Sequence, residues 1–66
     1  MHITINGEQE NIRDQITVSD LLAIKALSPD RIVLELNSQI LKKDCWQDVV
    51  LKENDVLEII SFVGGG

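Results

Sequence analysis

Cysteine, histidine, proline, tryptophan and phenylalanine each occur once in this chain, and tyrosine does not occur at all. One cysteine, Cys45, excludes an internal disulfide framework, and one Cys with one His, His2, is too small a donor set for a Cys/His zinc site. The expected setting is therefore reduced and cytoplasmic. Basic residues are also scarce: six Lys and Arg stand against eleven Asp and Glu, for a net charge of −5 spread along the chain. A protein that binds nucleic acid needs a basic stripe, and the only basic pair here, Lys42-Lys43, is followed at once by Asp44. Acidic surface suits basic protein partners instead, mainly by speeding encounter. No basic and apolar leader opens the chain, and no uncharged run approaches the ~20 residues of a membrane helix. The expectation is a soluble, unsecreted protein that engages neither nucleic acid nor membrane.

What remains is aliphatic. Hydrophobic residues are 44% of the 66, mostly Ile, Leu and Val, which is enough for one small domain with its own core. Met1 to Ile5 alternates, placing Met1, Ile3 and Ile5 on one face, and Asn6-Gly7 follows as a type I′ hairpin signal. The second strand, about Glu8 to Arg13, is polar apart from Ile12, as an edge strand should be. Thr17 then offers an N-cap, with Asp20 three residues on as a capping-box partner and Ile16 placed to pack on Leu21. Leu21, Leu22, Ile24 and Leu27 supply the apolar face of a helix of about ten residues, which begins at Val18 and is stopped by Ser28-Pro29. Arg31 to Asn37 alternates again, with Ile32, Leu34 and Leu36 opposite Val33 and Glu35. Asn37-Ser38 turns the chain into a short Gln39-Ile40-Leu41 segment, and polar turns lead to a last strand from Val56.

This order of elements is α+β. A hairpin, a helix across one sheet face and a final strand returning beside the first is the β-grasp arrangement, with a mixed sheet of four to five strands. The domain is expected to span residues 1–63, with 64–66 as a flexible glycine tail. The last strand then carries Leu57 and Ile59 beneath the helix and turns Glu58, Ile60 and Phe62 to the open face, a candidate docking patch. Gly64-Gly65-Gly66 closes the sequence. Glycine has no Cβ to obstruct a narrow channel, so these residues have the character of a working end, but an ionised carboxylate is a poor electrophile and a partner must activate it.

These features together resemble the ThiS family of thiamine-biosynthesis sulfur carriers. The resemblance runs the whole length: the opening strand with its Asn-Gly turn, Thr17-Val18 leading into Leu21-Leu22, Asn54-Asp55-Val56, and Phe62-Val63-Gly64-Gly65-Gly66. Family members often have Gly-Asp before the last strand, and Asn54, which tolerates left-handed backbone, stands where that glycine would be. The resemblance implies a carrier that is not itself an enzyme and binds no cofactor. An adenylating enzyme of the ubiquitin-activating, ThiF type would use MgATP to convert the Gly66 carboxylate to an acyl-adenylate. A sulfur-donor relay would then displace AMP to leave a thiocarboxylate, and a ThiG-type thiazole synthase would receive the sulfur. Gly65 and Gly64 would let the tail thread into each enzyme. The free carrier would be a monomer. Three other jobs share this fold: the small subunit of molybdopterin synthase, whose family usually runs longer, a ubiquitin-like modifier joined to lysines through Gly66, and a non-catalytic interaction domain whose glycines are incidental. Cys45, beside Trp46, is read as a small core hydrophobe rather than a sulfur handler, and Trp46 as a cover for one end of the core. His2 is read as a surface strand residue, and Glu53 with Asp55 as a solvated turn.

Overall fold

A computed structural model describes residues 1–62, which form five strands and one α-helix. Strands β1 (His2–Ile5) and β2 (Glu8–Asn11) make an antiparallel hairpin in the register His2↔Asn11 to Ile5↔Glu8. Asn6 and Gly7 between them have φ of 50° and 84°, the two positive values that a type I′ turn demands. Helix α1 (Val18–Ile24) follows, then β3 (Ile32–Leu36), β4 (Gln39–Ile40) and β5 (Val56–Ser61). The sheet order is β2-β1-β5-β3-β4, so β5, last in sequence, lies in the centre, parallel to β1 and antiparallel to β3. Polar β2 is an edge strand, as expected. Among the described residues no helix is long and apolar enough to cross a membrane.

The start of α1 follows the sequence closely. The Thr17 side chain accepts from the Asp20 amide at 3.0 Å, and the Asp20 carboxylate accepts from the Thr17 amide at 3.2 Å, closing a reciprocal capping box. Its end does not. The helix has seven residues and stops well before Pro29. Lys25 is the C-cap, and Ala26 adopts a left-handed φ of 56°. The Ala26 amide donates to the Ala23 carbonyl at 3.1 Å and the Leu27 amide to the Leu22 carbonyl at 3.0 Å. That pair of bonds is a Schellman motif, which returns Leu27 to the core and needs no proline. Ile24 is likewise not on the buried face: it is 64% exposed. At 3.6 residues per turn it stands roughly 110° round from the middle of the arc that Val18, Leu21 and Leu22 bury.

One contiguous core fills the space between sheet and helix. Ile3 and Ile5 of β1, Ile32 and Leu34 of β3, and Leu57 and Ile59 of β5 meet Val18, Leu21 and Leu22 of α1, with Ile16, Trp46 and Leu51 closing the ends. Among the described residues no polar side chain is buried in it. Trp46 is buried as expected, and its indole N–H donates to the Leu41 carbonyl at 2.8 Å, so the ring is covered without an unmet donor. Cys45 is a correction: its side chain is exposed, not a core hydrophobe. It ends a 3-10 turn at Lys43–Cys45, and with three residues per turn the rotation that points Trp46 inward points its neighbour out.

Candidate functional site

The side of the sheet away from α1 is uncovered, and β5 runs along its middle. Burial alternates from Val56 to Ile60: Leu57 and Ile59 are buried while Val56, Glu58 and Ile60 are exposed. The Phe62 amide donates to the Arg31 carbonyl at 2.8 Å, which carries the pairing with β3 one residue past β5. Glu58, Ile60 and Phe62 therefore lie where the sequence pattern places them, with Ile60 and Phe62 each about half exposed. Gly64, Gly65 and Gly66 lie outside the described residues.

The topology adds neighbours that no single strand reveals. Val33 is paired with Ile60, and Glu35 with both Glu58 and, on its other side, Ile40. Residues paired across a sheet share a face, so these side chains surround Glu58 and Ile60. Ile40 is 70% exposed, the highest value of any large apolar residue described. The alternation of Arg31 to Asn37 already put Val33 and Glu35 opposite the core residues; what it lacked was the register that sets them beside β5. Two carboxylates directly opposite each other, Glu35 and Glu58, oppose sheet formation slightly, and the fold offers them no compensating cation among the ion pairs described. The result is an apolar patch with a concentrated negative centre.

Other features lie elsewhere. On the helix side a cavity of about 380 Å³ is lined by Leu22, Ala23, Leu27, Pro29 and Trp46, with Ser19 and Lys43 at its border. Lys43 bonds to Asp30, and that hydrogen bond, with the lysine charge behind it, holds the Asp30 carboxyl below its usual range. His2 is an exposed strand residue whose backbone amide donates to Glu53 at 3.0 Å. Asp55 accepts from the Lys52 amide at 2.7 Å and from the Asn37 side chain at 3.0 Å, and Asn54 takes the left-handed φ of 70° that its position requires. No group of three or more His, Cys, Asp or Glu able to hold a metal occurs among the described residues.

Residues 3–66 match the model of the ThiS family. A sulfur carrier protein ThiS of Bacillus subtilis is 41% identical over 65 residues, covering 97% of this chain and 98% of that protein. A thiazole synthase of Paramagnetospirillum magneticum is 35% identical over all of this chain but only 20% of its own length, and one of Magnetococcus marinus is 33% identical over the same shares. The chain thus spans about a fifth of these longer relatives. The crystal structure of a thiamine biosynthesis protein, ThiS, from Geobacter metallireducens superposes with a TM-score of 0.83 at 29% identity, covering 100% of both chains.

Proposed function

The chain belongs to the ThiS family, and from that membership we propose that it is a sulfur carrier for thiamine biosynthesis, loaded and unloaded at Gly66. The observation that carries the reading is the likeness to a named sulfur carrier over 97% of this chain, together with a family match that runs through Gly66. An adenylating enzyme joins the Gly66 carboxylate to AMP from MgATP and releases pyrophosphate, which turns an unreactive anion into an electrophile with a good leaving group. The outer sulfur of a persulfide then displaces AMP. A second thiol reduces the resulting acyl disulfide and is itself oxidised, leaving a thiocarboxylate whose sulfur is a nucleophile. Such chemistry belongs in a reducing cytoplasm, where thiols persist. In this reading the carrier catalyses nothing itself. Gly65 and Gly64 bring the backbone into a narrow channel without side chains.

Two features support the choice of partners. In the two thiazole synthases the matching segment is part of a longer polypeptide of that name, which favours a ThiG-type thiazole synthase as the acceptor. The open face, with Ile60, Phe62, Val33 and Ile40 around Glu58 and Glu35, fits a partner that brings an apolar patch and a cation to its centre. β5 runs along that face and Gly66 follows Phe62 by four residues in sequence, so docking there would bring the attachment residue to the partner.

The test is the intact mass after incubation with native-host lysate, MgATP and cysteine, for the full chain and for versions lacking Gly66 or carrying Gly65→Trp. Replacement of one oxygen by sulfur in the full chain alone is the expected result. An unchanged mass, in a lysate able to load a control carrier, would overturn the reading, and lysine-linked adducts would replace it with a ubiquitin-like modifier.

A further inference from the structure

Asn6 does more than make a turn. Its side-chain oxygen accepts from the Ile59 amide at 2.7 Å, and its side-chain nitrogen donates to the Ile59 carbonyl at 3.1 Å. The opposite amide orientation would set donor against donor and acceptor against acceptor, so the two bonds fix it. One carboxamide thereby reproduces the pair of bonds that a neighbouring strand would supply. It does so where that strand has run out: β1 pairs with β5 only at Thr4↔Val56 and Ile5↔Leu57, and the Asn6 amide closes the ladder on the Leu57 carbonyl at 2.9 Å. Past that point the chain of β1 turns back into β2. Without Asn6, the backbone of Ile59 would have β3 on one side and no strand on the other.

The turn alone does not demand an amide. Gly and Asp also suit the first position of a type I′ turn, but of the residues favoured there only Asn offers a donor and an acceptor together at neutral pH. Asn37 holds the matching place in the β3–β4 turn, with φ of 51°, and its oxygen accepts from the Val56 amide at 2.9 Å. Asn37 therefore grips the first residue of β5 and Asn6 its fourth, within the half of the strand that leads to Phe62.

We propose that Asn6 is a positioning residue for carrier loading: its clamp on Ile59 sets the direction in which β5 leaves the sheet, so that the tail meets the adenylating enzyme already aimed. This rests on the carrier reading given above. A strand bonded on both edges is held in the plane of the sheet, whereas one bonded on a single edge can swing about it. Ordering it in advance lowers the cost of binding and belongs in KM rather than in the chemical step.

The experiment compares the full chain with Asn6→Gly, Asn6→Asp and Asn37→Gly, using ATP–pyrophosphate exchange with the native host's adenylating enzyme and hydrogen exchange at the Ile59 amide. Asn6→Gly keeps the turn and deletes the clamp. It should raise KM for the carrier about three- to tenfold with kcat unchanged, the factor corresponding to a hydrogen bond of ordinary net worth. Its Ile59 amide should exchange faster by a similar factor, and Asn6→Asp, which keeps one acceptor but sets a carboxylate oxygen against the Ile59 carbonyl, should also raise KM. Asn37→Gly should not change KM. An unaltered KM in Asn6→Gly, or an equal rise in Asn37→Gly, would overturn the positioning role. A full chain that is never adenylated by an enzyme active on a control carrier would instead remove the carrier reading, and this role with it.

Discussion

Ala26 is the residue whose replacement tests the backbone argument most directly. It is the left-handed residue of the Schellman motif that ends α1, with φ of 56°, and its side chain is exposed. An L-residue with a Cβ pays about 1–2 kcal/mol in that conformation, while glycine there loses roughly 0.4–1 kcal/mol through its greater freedom in the unfolded chain. Ala26→Gly should therefore stabilise the domain by about 0.5–1 kcal/mol, raising Tm by roughly 2–8 °C for a chain of this size. Ala23→Gly is the matched control: the same atoms are removed three residues earlier, at an exposed position within α1. There glycine should cost about 1 kcal/mol, because only the entropic loss applies. The assay is urea unfolding followed by circular dichroism, with equal slopes required so that midpoints report stability alone. The two substitutions should move the midpoint in opposite directions. A shift of the same sign in both, or no gain from Ala26→Gly, would refute the assignment of strain to Ala26.

Two further outcomes concern the core and the open face. Leu34 is fully buried, and Leu34→Ala should cost about 2–5 kcal/mol, comparable with the entire stability of so small a domain, so circular dichroism at room temperature should show a largely unfolded population. Ile60→Asp acts on a half-exposed side chain of the central strand: it should cost about 1 kcal/mol of stability through strand propensity and the neighbouring carboxylates, while binding to the adenylating enzyme, read by calorimetry, should weaken about tenfold or more if this face is the docking surface. Unchanged affinity would place docking elsewhere.

Much of this protein was set by short-range chemistry. The Asn6-Gly7 turn, the Thr17–Asp20 box and the alternation of β3 and β5 depend on residues within a few positions of each other, and the sequence alone determined them because backbone sterics and side-chain period are local properties. The place of β5 beside β1 and the exposure of Glu58, Ile60 and Phe62 also followed, since an apolar last strand needs a sheet interior to bury Leu57 and Ile59. Local signals misplaced three details. Pro29 suggested where α1 ends, but the Schellman bonds end it sooner, because returning Leu27 to the core outweighs the left-handed strain at Ala26. Ile24 fitted an apolar count along the chain yet not the arc of the helix that the sheet covers. Cys45 faces solvent because Trp46, with far more apolar surface to bury, takes the inward position of the 3-10 turn.

Only the tertiary structure decided the rest. Pairing of β3 with β5 sets Val33 beside Ile60 and Glu35 opposite Glu58, and these contacts join residues more than twenty positions apart. The clamp of Asn6 on Ile59 spans 53 positions and rests on the β1–β5 pairing ending at Leu57, two residues before Ile59. Register and the point at which a strand runs out are properties of the assembled sheet. No local periodicity carries them, because each is fixed by where another part of the chain must lie to bury its own apolar face.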